Sequence, residues 1–313
     1  MKRSIELVVN PRAGAGKASK ILGDVTRELA SVGFDVQVHR TERPRHAGEI
    51  VRRLVRDRAD IIAVMGGDGS FHEALAGLRG EENEWLDASK VSFALIPAGT
   101  GGDLKRTLRI PEEPRAIANY LAHAQPRPFD VGSVAYESHD GKRESLVFGN
   151  IASFGMSGLV DRLVNEGPKW LGGRMAFLSA AMRVNVVYRN VPVRVFVDDQ
   201  LFHEGPINTV AIANGRFFGG GMKVAPIADP HDGLLDVVVL GDMAKLESVA
   251  FSRHLYGGTL LGQPKVLHTR GRVVRAEATG SREGLLDIDG EAPGRLPATF
   301  TVHPAAIQIL ERE

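Results

Sequence analysis

Three glycine-rich loops carry the residues best suited to hold a phosphate. Their sequences are NPRAGAGK, GGDGS and AGTGG, at positions 10–17, 66–70 and 98–102. Each loop follows an apolar run typical of a strand, and helical spacing follows the second loop. A turn between a strand and a helix binds phosphate well, because free backbone N–H groups and the helix dipole point out of it. The carboxylate of Asp68 would repel a bare phosphate, so it indicates either a bound cation or a role in loop shape.

The three loops together favour one shared phosphate site. For any single loop, a tight turn is the better explanation of its glycines. Loops at the carboxyl ends of parallel strands converge on one crevice, where Lys17 and the hydroxyls of Ser70 and Thr100 would add contacts. The first loop is not a Walker A sequence, because Ala18 follows its lysine, and none of the loops is a Rossmann G-x-G-x-x-G.

Two acidic motifs in the second half could bind a cation or move a proton. Asp229 and Asp232 lie close enough to share a hard cation, and a plain Asp-Gly turn explains them equally well. In LLDIDGEAPG, Asp287, Asp289 and Glu291 alternate, so a strand would point all three to one face. Carboxylates this close need a metal, a cation or a raised pKa, and one of them could accept a hydroxyl proton in phosphoryl transfer. A hairpin turn at Asp289-Gly290 is the competing interpretation.

The elements that must position these residues change character near position 126. The first 125 residues alternate strand and helix signals, which predicts βαβ units and a parallel sheet. After Pro126 come short strand-like runs separated by turn residues, as expected for an antiparallel sandwich. Two helical stretches interrupt them, at roughly Lys169–Val187 and Met243–His254.

Composition excludes several classes of protein. The 313 residues are 43% hydrophobic, enough for two ordinary cores, and the net charge of +1 does not indicate a nucleic-acid binder. No cysteine is present, so disulfide and thiolate chemistry are excluded. No run approaches the roughly 18–20 apolar residues that span a bilayer, which predicts a soluble protein or one at a membrane surface. Without HExxH, a His/Cys cluster or a G-x-S-x-G elbow, zinc-enzyme and hydrolase interpretations have little support.

Five motifs resemble those of the diacylglycerol kinase catalytic-domain superfamily, which includes soluble bacterial lipid kinases and the sphingosine and ceramide kinases. They are VVNPRAGAGKA, GGDGSFHEAL, IPAGTGGDLKR, KVAPIADPHDGLLDVV and DIDGE, in this order and spacing. GGDG alone is shared with NAD kinases and phosphofructokinases. The resemblance runs from Val8 to about Ile309. It implies an N-terminal NAD-kinase-like three-layer α/β domain at 1–126, to which residues 300–313 return, and a C-terminal antiparallel β-sandwich at 127–299.

The resemblance also implies ATP and Mg²⁺ as cofactors, with ATP and lipid meeting in the cleft. Asp289 would be the general base with Glu291 in support, Asp68 would act through the Mg²⁺–ATP network, and Asp232 would hold a structural Mg²⁺. Main-chain oxygens of Asp229 and Leu234 would complete that metal site. The residues implied to bind the nucleotide are Asn10, Pro11, Arg12, Ala13, Gly14, Lys17, Thr41, Gly66, Gly67, Asp68, Gly69, Ser70, Glu73 and Thr100.

Two departures from the family motifs bear on the acceptor. His72 stands where asparagine is usual, and Gly102 replaces the asparagine before Asp103. These changes bear on acceptor identity more than on kinase activity, because the phosphate loop and the base motif survive. Gly102 and Asp103 are the positions expected to face the substrate.

The resulting prediction is an ATP- and Mg²⁺-dependent lipid kinase that converts diacylglycerol to phosphatidic acid. The alternatives are a ceramide or sphingoid-base kinase, an NAD kinase, or a nucleotide-binding regulator without catalysis. We expect a cytoplasmic protein that contacts the membrane peripherally, takes a membrane-derived lipid, binds no nucleic acid and forms a homodimer as bacterial relatives suggest. Residues 170–188 could form a gate or an interfacial helix, although a plain packed helix is the favoured interpretation.

Overall fold

The computed structural model describes residues 3–80, 84–99, 101–166 and 173–312, with only the backbone for 164–166 and 173–179. The chain divides into two compact units. One comprises Met1–Val131 and Pro304–Glu313, and the other comprises Gly132–His303. Two strands, β5 (Gln125–Ser138) and β15 (Gly294–Glu311), have residues in both units.

The first unit is built on a parallel sheet. Its other strands are β1 (Arg3–Val9), β2 (Phe34–Arg40), β3 (Ile61–Gly66) and β4 (Ala88–Pro97). Its helices are α1 (Lys17–Ser31), α2 (His46–Arg56), α3 (Asp68–Leu75), α4 (Asp103–Thr107) and α5 (Pro114–His123), with a 3₁₀ turn at Ala76–Leu78. The strand order is β2-β1-β3-β4-β15, and every pairing is parallel.

Helices cover this sheet, so its central strand is buried along its whole length. All six residues of β3 are buried, which fits the continuous apolar run of the sequence. Helix α1 packs beside α5, and α2 packs beside α3. In α1, the buried residues Ala18, Leu22, Val25 and Leu29 recur every three or four positions and give the helix its apolar face.

The second unit contains an antiparallel sandwich with helices on one side. Its other strands are β6 (Arg143–Phe148), β7 (Ile151–Gly155), β8 (Val191–Val197), β9 (Gln200–Ile207), β10 (Thr209–Ala213), β11 (Leu235–Leu240), β12 (Val266–Gly271), β13 (Val273–Ala278) and β14 (Leu286–Ile288). Its helices are α6 (Met156–Glu166), α7 (Gly173–Val187) and α8 (Lys245–Gly257).

Two groups of strands form the sandwich. One has β13 between β15 and β8, with β9 beyond β8, while β5 pairs with β6 and β15; the other has the order β12-β11-β10-β7-β14. Side chains of both groups meet in one core, where the rings of Phe154 and Phe300 stack with centroids 6.2 Å apart. A second apolar cluster, which includes Val238, Met243 and Leu260, lies on the opposite face of the β10–β11 sheet, where residues of α8 pack against it.

Two features of this unit differ from the prediction. Helix α6 follows β7 directly and was not predicted. The run 264–278 is two strands, β12 and β13, which lie in different sheets and separate at Gly271. The predicted helix Lys169–Val187 is described from Gly173 onward, and its first four residues lie outside the described part of the chain.

Candidate active site

The three glycine loops of the first unit pack against each other. Gly14 has a φ of +59°, and a Cβ there would lie 2.2 Å from the carbonyl oxygen of Ala98. A Cβ on Gly99 would lie 2.4 Å from the Cα of Gly67. Only glycine permits this approach of backbone to backbone, so the glycines bring together the loops that follow β1, β3 and β4.

The loop around Asp68 has room for an anionic ligand. Gly67 precedes the first turn of α3, and no side chain in the described ranges caps that turn. A Cβ on Gly69 or Gly16 would meet no heavy atom within 4 Å beyond its chain neighbours. Open backbone at a helix N-terminus fits a phosphate group, as the sequence predicts.

The carboxylate of Asp68 fixes the neighbouring loop. Its Oδ2 accepts hydrogen bonds from the backbone N–H groups of Gly102 and Asp103, both at 2.8 Å, and its Oδ1 accepts one from Leu104 at 3.2 Å. These N–H groups lie at the start of α4, where they would otherwise lack helical partners. The sequence leaves open whether Asp68 binds a cation or shapes the loop, and these contacts directly support a role in shaping the loop.

Backbone conformation explains the departure from the family motif at Gly102. This residue has φ +98° and ψ 52°, in the left-handed region that glycine adopts freely and that asparagine tolerates better than most residues. Glycine and asparagine therefore satisfy the same backbone requirement. The carboxylate of Asp103 is buried and pairs with the guanidinium of Arg106 at 2.7 Å.

Several predicted nucleotide-binding residues organise the loops by their own contacts. Asn10 accepts a hydrogen bond from the backbone N–H of Arg12 at 3.0 Å and donates a long one to Ser70 Oγ at 3.5 Å. Residues Pro11 and Ala13 belong to the turn after β1, in which the N–H of Ala13 donates to the carbonyl of Asn10 at 3.0 Å.

Glu73, Thr41 and Lys17 also have partners within the first unit. The Glu73 carboxylate accepts the backbone N–H of Ala47 at 3.0 Å, in the first turn of α2. The backbone N–H of Thr41 donates to Val9 at the end of β1, at 2.9 Å. The Lys17 ammonium lies 3.4 Å from Glu112, and both side chains are half-exposed. Gly66 lies against Ser70, whose Oγ would be 2.3 Å from an added Cβ, and Thr100 lies outside the described residues.

The motif around Asp289 is a hairpin turn, so the predicted alternation along a strand is wrong. Strand β14 ends at Ile288, and Asp289 and Gly290 have φ values of +51° and +90°. Ile288 and Glu291 exchange two backbone hydrogen bonds across this two-residue loop, at 2.8 and 3.0 Å. Positive φ at both central residues is the pattern of a type I′ turn. The strand ends before Asp289, yet the carboxylates stay near one another, since, in addition to burial, the charge of Asp289 raises the pKa of Asp287 and that of Glu291 raises the pKa of Asp161.

Three backbone N–H groups hold the Asp289 carboxylate. Gly149 donates to its Oδ2 at 2.9 Å, while Asn150 and Ile151 donate to its Oδ1 at 3.1 and 2.9 Å. The three donors belong to buried residues at the start of β7. The backbone N–H of Asp289 donates in return to the carbonyl of Ile151 at 3.0 Å. Asp289 therefore joins the β14 turn to the loop between β6 and β7, and its role as general base stays a prediction.

A buried pair of carboxyl groups, Asp161 and Asp287, lies next to this turn, and Asp287 is hydrogen-bonded to it. Burial raises the pKa of Asp161 well above its ordinary value, and the nearby charge of Asp287 raises it further. Burial also raises the pKa of Asp287, against the lowering effect of hydrogen bonds from Asp161 and Ser153. Asp287 accepts the Ser153 hydroxyl at 2.8 Å and the backbone N–H of Gly290 at 2.9 Å. The hydrogen bond between the two carboxyl groups raises the pKa of Asp161 and lowers that of Asp287, which favours a shared proton on Asp161.

The residues predicted to hold a structural Mg²⁺ form a different arrangement. Asp232 accepts the backbone N–H of Leu234 at 3.0 Å and pairs with Arg270 at 2.9 Å, while Asp229 accepts the N–H of His231 at 3.2 Å. Within the described ranges, no group of three or more His, Cys, Asp or Glu side chains is placed to bind a metal ion. The predicted site uses one carboxylate and two main-chain oxygens, so it stays a prediction, and a cation at Asp232 would have to displace the guanidinium of Arg270.

An apolar cavity of about 220 Å³ lies in the second unit among α6, α7, α8 and the sheet. Its wall includes Val160 from α6, Leu240 from β11, and Phe251 and Leu255 from α8. Ser157, also in the wall, hydrogen-bonds to Ser153 at 2.8 Å, so a chain of hydroxyl groups leads from the cavity to Asp287. An apolar cavity with a few polar groups at one side suits an amphiphilic ligand.

Sequence reasoning did not single out Ser153, Asp161 or Arg270. Ser157 and Asp161 are four residues apart and so share one face of α6, a spacing that could have marked them once the helix was recognised. Asp232 and Arg270 are 38 positions apart, and only the pairing of β11 with β12 brings their segments together.

Comparison with known proteins agrees with this geometry. The family model for the diacylglycerol kinase catalytic domain matches residues 4–134, and the model for the YegS C-terminal NAD kinase beta sandwich-like domain matches residues 150–311. The chain belongs to the diacylglycerol kinase family. It is a lipid kinase, which confirms the enzyme class predicted from the five motifs.

Relatives of this lipid kinase match over nearly their whole length. A diacylglycerol kinase of Mycobacterium tuberculosis is 27% identical over 98% of this chain and 94% of its own. One from Bacillus subtilis is 26% identical over 96% of this chain and 93% of its own.

Solved structures confirm the predicted fold class. A crystal structure of a diacylglycerol kinase from Bacillus anthracis covers 99% of this chain and 98% of its own, with a TM-score of 0.75 and 24% identity. Yeast NADH kinase in complex with NADH covers 100% of this chain and 84% of its own, with a TM-score of 0.51 and 11% identity. The second likeness shows the NAD-kinase-like architecture alone. In the described part of the chain, no helix combines the length and apolar character needed to cross a bilayer.

Proposed function

We propose that this lipid kinase transfers the γ-phosphoryl group of ATP to the hydroxyl group of diacylglycerol. The hydroxyl oxygen attacks the γ-phosphorus, the bond to the β-phosphate oxygen breaks, and phosphatidic acid and ADP result. The apolar cavity of the second unit carries the proposal. It can hold the hydrocarbon chain of a lipid, whereas a dinucleotide acceptor has no such chain to bury.

The glycine loops of the first unit would bind the nucleotide. The uncrowded backbone at Gly69 would supply an N–H donor in the first turn of α3, and the flexible side chain of Lys17 would add a positive charge. Asp68 fixes the position of the loop at Gly102 by accepting its backbone N–H. Mg²⁺ bound to ATP would offset the charge on the phosphate oxygens, which phosphoryl transfer requires.

The second unit would supply the acceptor site and the base. Asp289 is the residue proposed to accept the hydroxyl proton, and the three N–H groups that hold its carboxylate fix the orientation that a general base needs. Ser157 would interact with the polar end of a lipid whose chain occupies the cavity.

An acceptor assay tests the proposal directly. Purified protein is incubated with γ-labelled ATP, Mg²⁺ and micelles of diacylglycerol, ceramide, sphingoid base or monoacylglycerol, and with NAD in a parallel reaction. The expected result is label on diacylglycerol. Label on ceramide or a sphingoid base would replace the acceptor and keep the kinase class, whereas label on NAD alone would overturn the lipid assignment.

A cavity variant connects the assay to the structure. Ala181→Phe places a ring in the cavity wall and is expected to reduce diacylglycerol phosphorylation at least about tenfold. Ala135→Phe makes the same change at an exposed position of β5 outside the cavity, so it should match the wild type. Equal activity of the two variants would show that the acceptor does not use the cavity.

A further inference from the structure

Helix α8 presents apolar residues to solvent. None of its residues is buried. Its exposed positions Leu246, Val249, Ala250, Arg253 and Tyr256 recur at spacings of three and four, so they form one stripe along the helix. Leu246 is 86% exposed and Val249 is 58% exposed. Phe251 and Leu255 form the inner apolar side of α8, and a surface helix normally turns a polar face outward, so a second, outer apolar stripe indicates a surface that is covered when the protein works.

The end of helix α7 continues the same surface. Met182, Val186 and Val187 are exposed by 71%, 67% and 67%. The two helices are joined where the Asn185 amide donates to the carbonyl of Lys245 at 3.0 Å. We call the exposed side chains of Met182, Val186, Val187, Leu246, Val249 and Tyr256 the α7–α8 surface.

Basic side chains accompany this surface. Segments 180–190 and 242–257 contain four Lys or Arg residues and two acidic residues. The four, all exposed, are Arg183, Arg189, Lys245 and Arg253. One of the two acids, Glu247, already pairs with Lys265 at 2.6 Å. Apolar residues flanked by an excess of positive charge are the combination that binds a surface of anionic lipid.

The surface is also continuous with the apolar cavity. Met182, Val249 and Tyr256 belong both to the α7–α8 surface and to the cavity wall. From the exposed apolar stripe of α8, its basic flanks and this continuity, we propose that the α7–α8 surface docks on an anionic lipid bilayer and opens the cavity directly to it. The inference concerns where the protein meets lipid, so it stands whichever lipid accepts the phosphate.

A second copy of the chain fits this surface less well. A two-fold dimer places identical patches against each other, and here it would bring Arg183, Arg189, Lys245 and Arg253 of both copies together. Like charges at an interface oppose association, whereas an anionic bilayer supplies the opposite charge.

Vesicle co-sedimentation of the full chain, without ATP or acceptor, tests the proposal. Vesicles of phosphatidylcholine alone are compared with vesicles containing phosphatidylglycerol, and wild type is expected to bind only the anionic ones. Leu246→Glu combined with Val249→Glu should weaken that binding by roughly tenfold or more. Leu201→Glu alters an apolar residue of β9 that is 53% exposed, and it should bind as the wild type does.

A charge variant separates the electrostatic part. Arg253→Gln is expected to weaken binding to anionic vesicles roughly fivefold, because one basic residue near the membrane is lost. Arg275→Gln, on β13 and paired with Asp199, is the matched control without an expected effect. Thermal melting of each variant checks that the chain is folded.

Three outcomes would overturn the proposal. Wild type that binds neither kind of vesicle would remove the bilayer as the partner. Undiminished binding by the Leu246→Glu, Val249→Glu variant would place the lipid-binding surface elsewhere. A wild-type dimer that this double variant makes monomeric, with no vesicle binding by either form, would assign the surface to a second copy.

Discussion

Replacement of Asp289 by asparagine should cost stability as well as activity. Both residues tolerate the left-handed backbone that a φ of +51° requires, so the substitution changes the carboxylate and leaves the turn conformation accessible. The asparagine oxygen can keep the hydrogen bonds from Asn150 and Ile151, both of which end on Oδ1. Its NH₂ group then faces the N–H of Gly149, a donor against a donor.

The size of this effect follows from the lost hydrogen bond. A hydrogen bond to a charged group contributes about 1.5–3 kcal/mol, and a buried unsatisfied donor costs about 1–3 kcal/mol. Because the Asp289 side chain is partly exposed while Gly149 is buried, we expect a loss of about 2–3 kcal/mol in the free energy of unfolding. For a unit of this size, that corresponds to a fall in melting temperature of roughly 5–10 °C.

Denaturant unfolding and thermal melting would measure the loss, and activity would be assayed well below the melting temperature. Asp199→Asn makes the same chemical change at an exposed turn residue and should shift stability by no more than about 0.5 kcal/mol. If Asp289→Asn is as stable as wild type, the hydrogen bonds to the loop at 149–151 do not hold the carboxylate as described. If it folds, binds ATP and turns over normally, Asp289 is not the base.

Three further substitutions test other contacts. Asp68→Ala removes the carboxylate that accepts the N–H groups at the start of α4, so it should destabilise the first unit by roughly 2–3 kcal/mol and weaken ATP binding even in EDTA. If calorimetry shows unchanged ATP binding without Mg²⁺, Asp68 acts on the cation instead. The raised pKa of Asp161 means that its contribution to stability is complete below its ordinary pKa and is lost as pH rises toward the folded value, at up to about 1.4 kcal/mol per pH unit. Asp161→Asn keeps an amide donor at all pH values, so denaturant titrations should show less loss of stability between pH 4.5 and 7.5 than wild type, and an identical loss would contradict the shared proton. Arg270→Gln should make the melting temperature rise with Mg²⁺, because Asp232 loses its guanidinium partner, whereas an equal rise in wild type would show that the cation binds beside Arg270.

Much of the first unit follows from sequence because its signals are local. Apolar runs such as DIIAVM predict buried strands, and the glycines between strand and helix predict the loops that meet at the sheet edge. The contact of Asp68 with residues 102–104 lies outside such reasoning, because it joins two loops that only the fold brings together.

The second unit departs from prediction where local signals conflict. Alternation at 287–291 favoured a strand, while the Asp289-Gly290 pair signals a two-residue turn, and the turn prevails because both residues accept positive φ. Helix α6 carries Gly158 in its first turn, a poor helix former. That glycine is required by packing, since a Cβ there would lie 2.3 Å from the carbonyl oxygen of Leu285.

The acidic residues of the motifs share a structural role, which is to accept hydrogen bonds from backbone N–H groups. Asp68 holds the N–H groups of residues 102–104, Asp289 holds those of residues 149–151, and Asp287 holds that of Gly290. In each case a carboxylate near the start or end of one element fixes the backbone of a neighbouring loop, so its removal moves the residues that must bind nucleotide or acceptor. A loss of activity follows from either role, and the stability of the same variant separates the two. Asp289→Asn is the most informative of these changes, because it keeps the turn and two of the three hydrogen bonds while it removes the charge that a base needs.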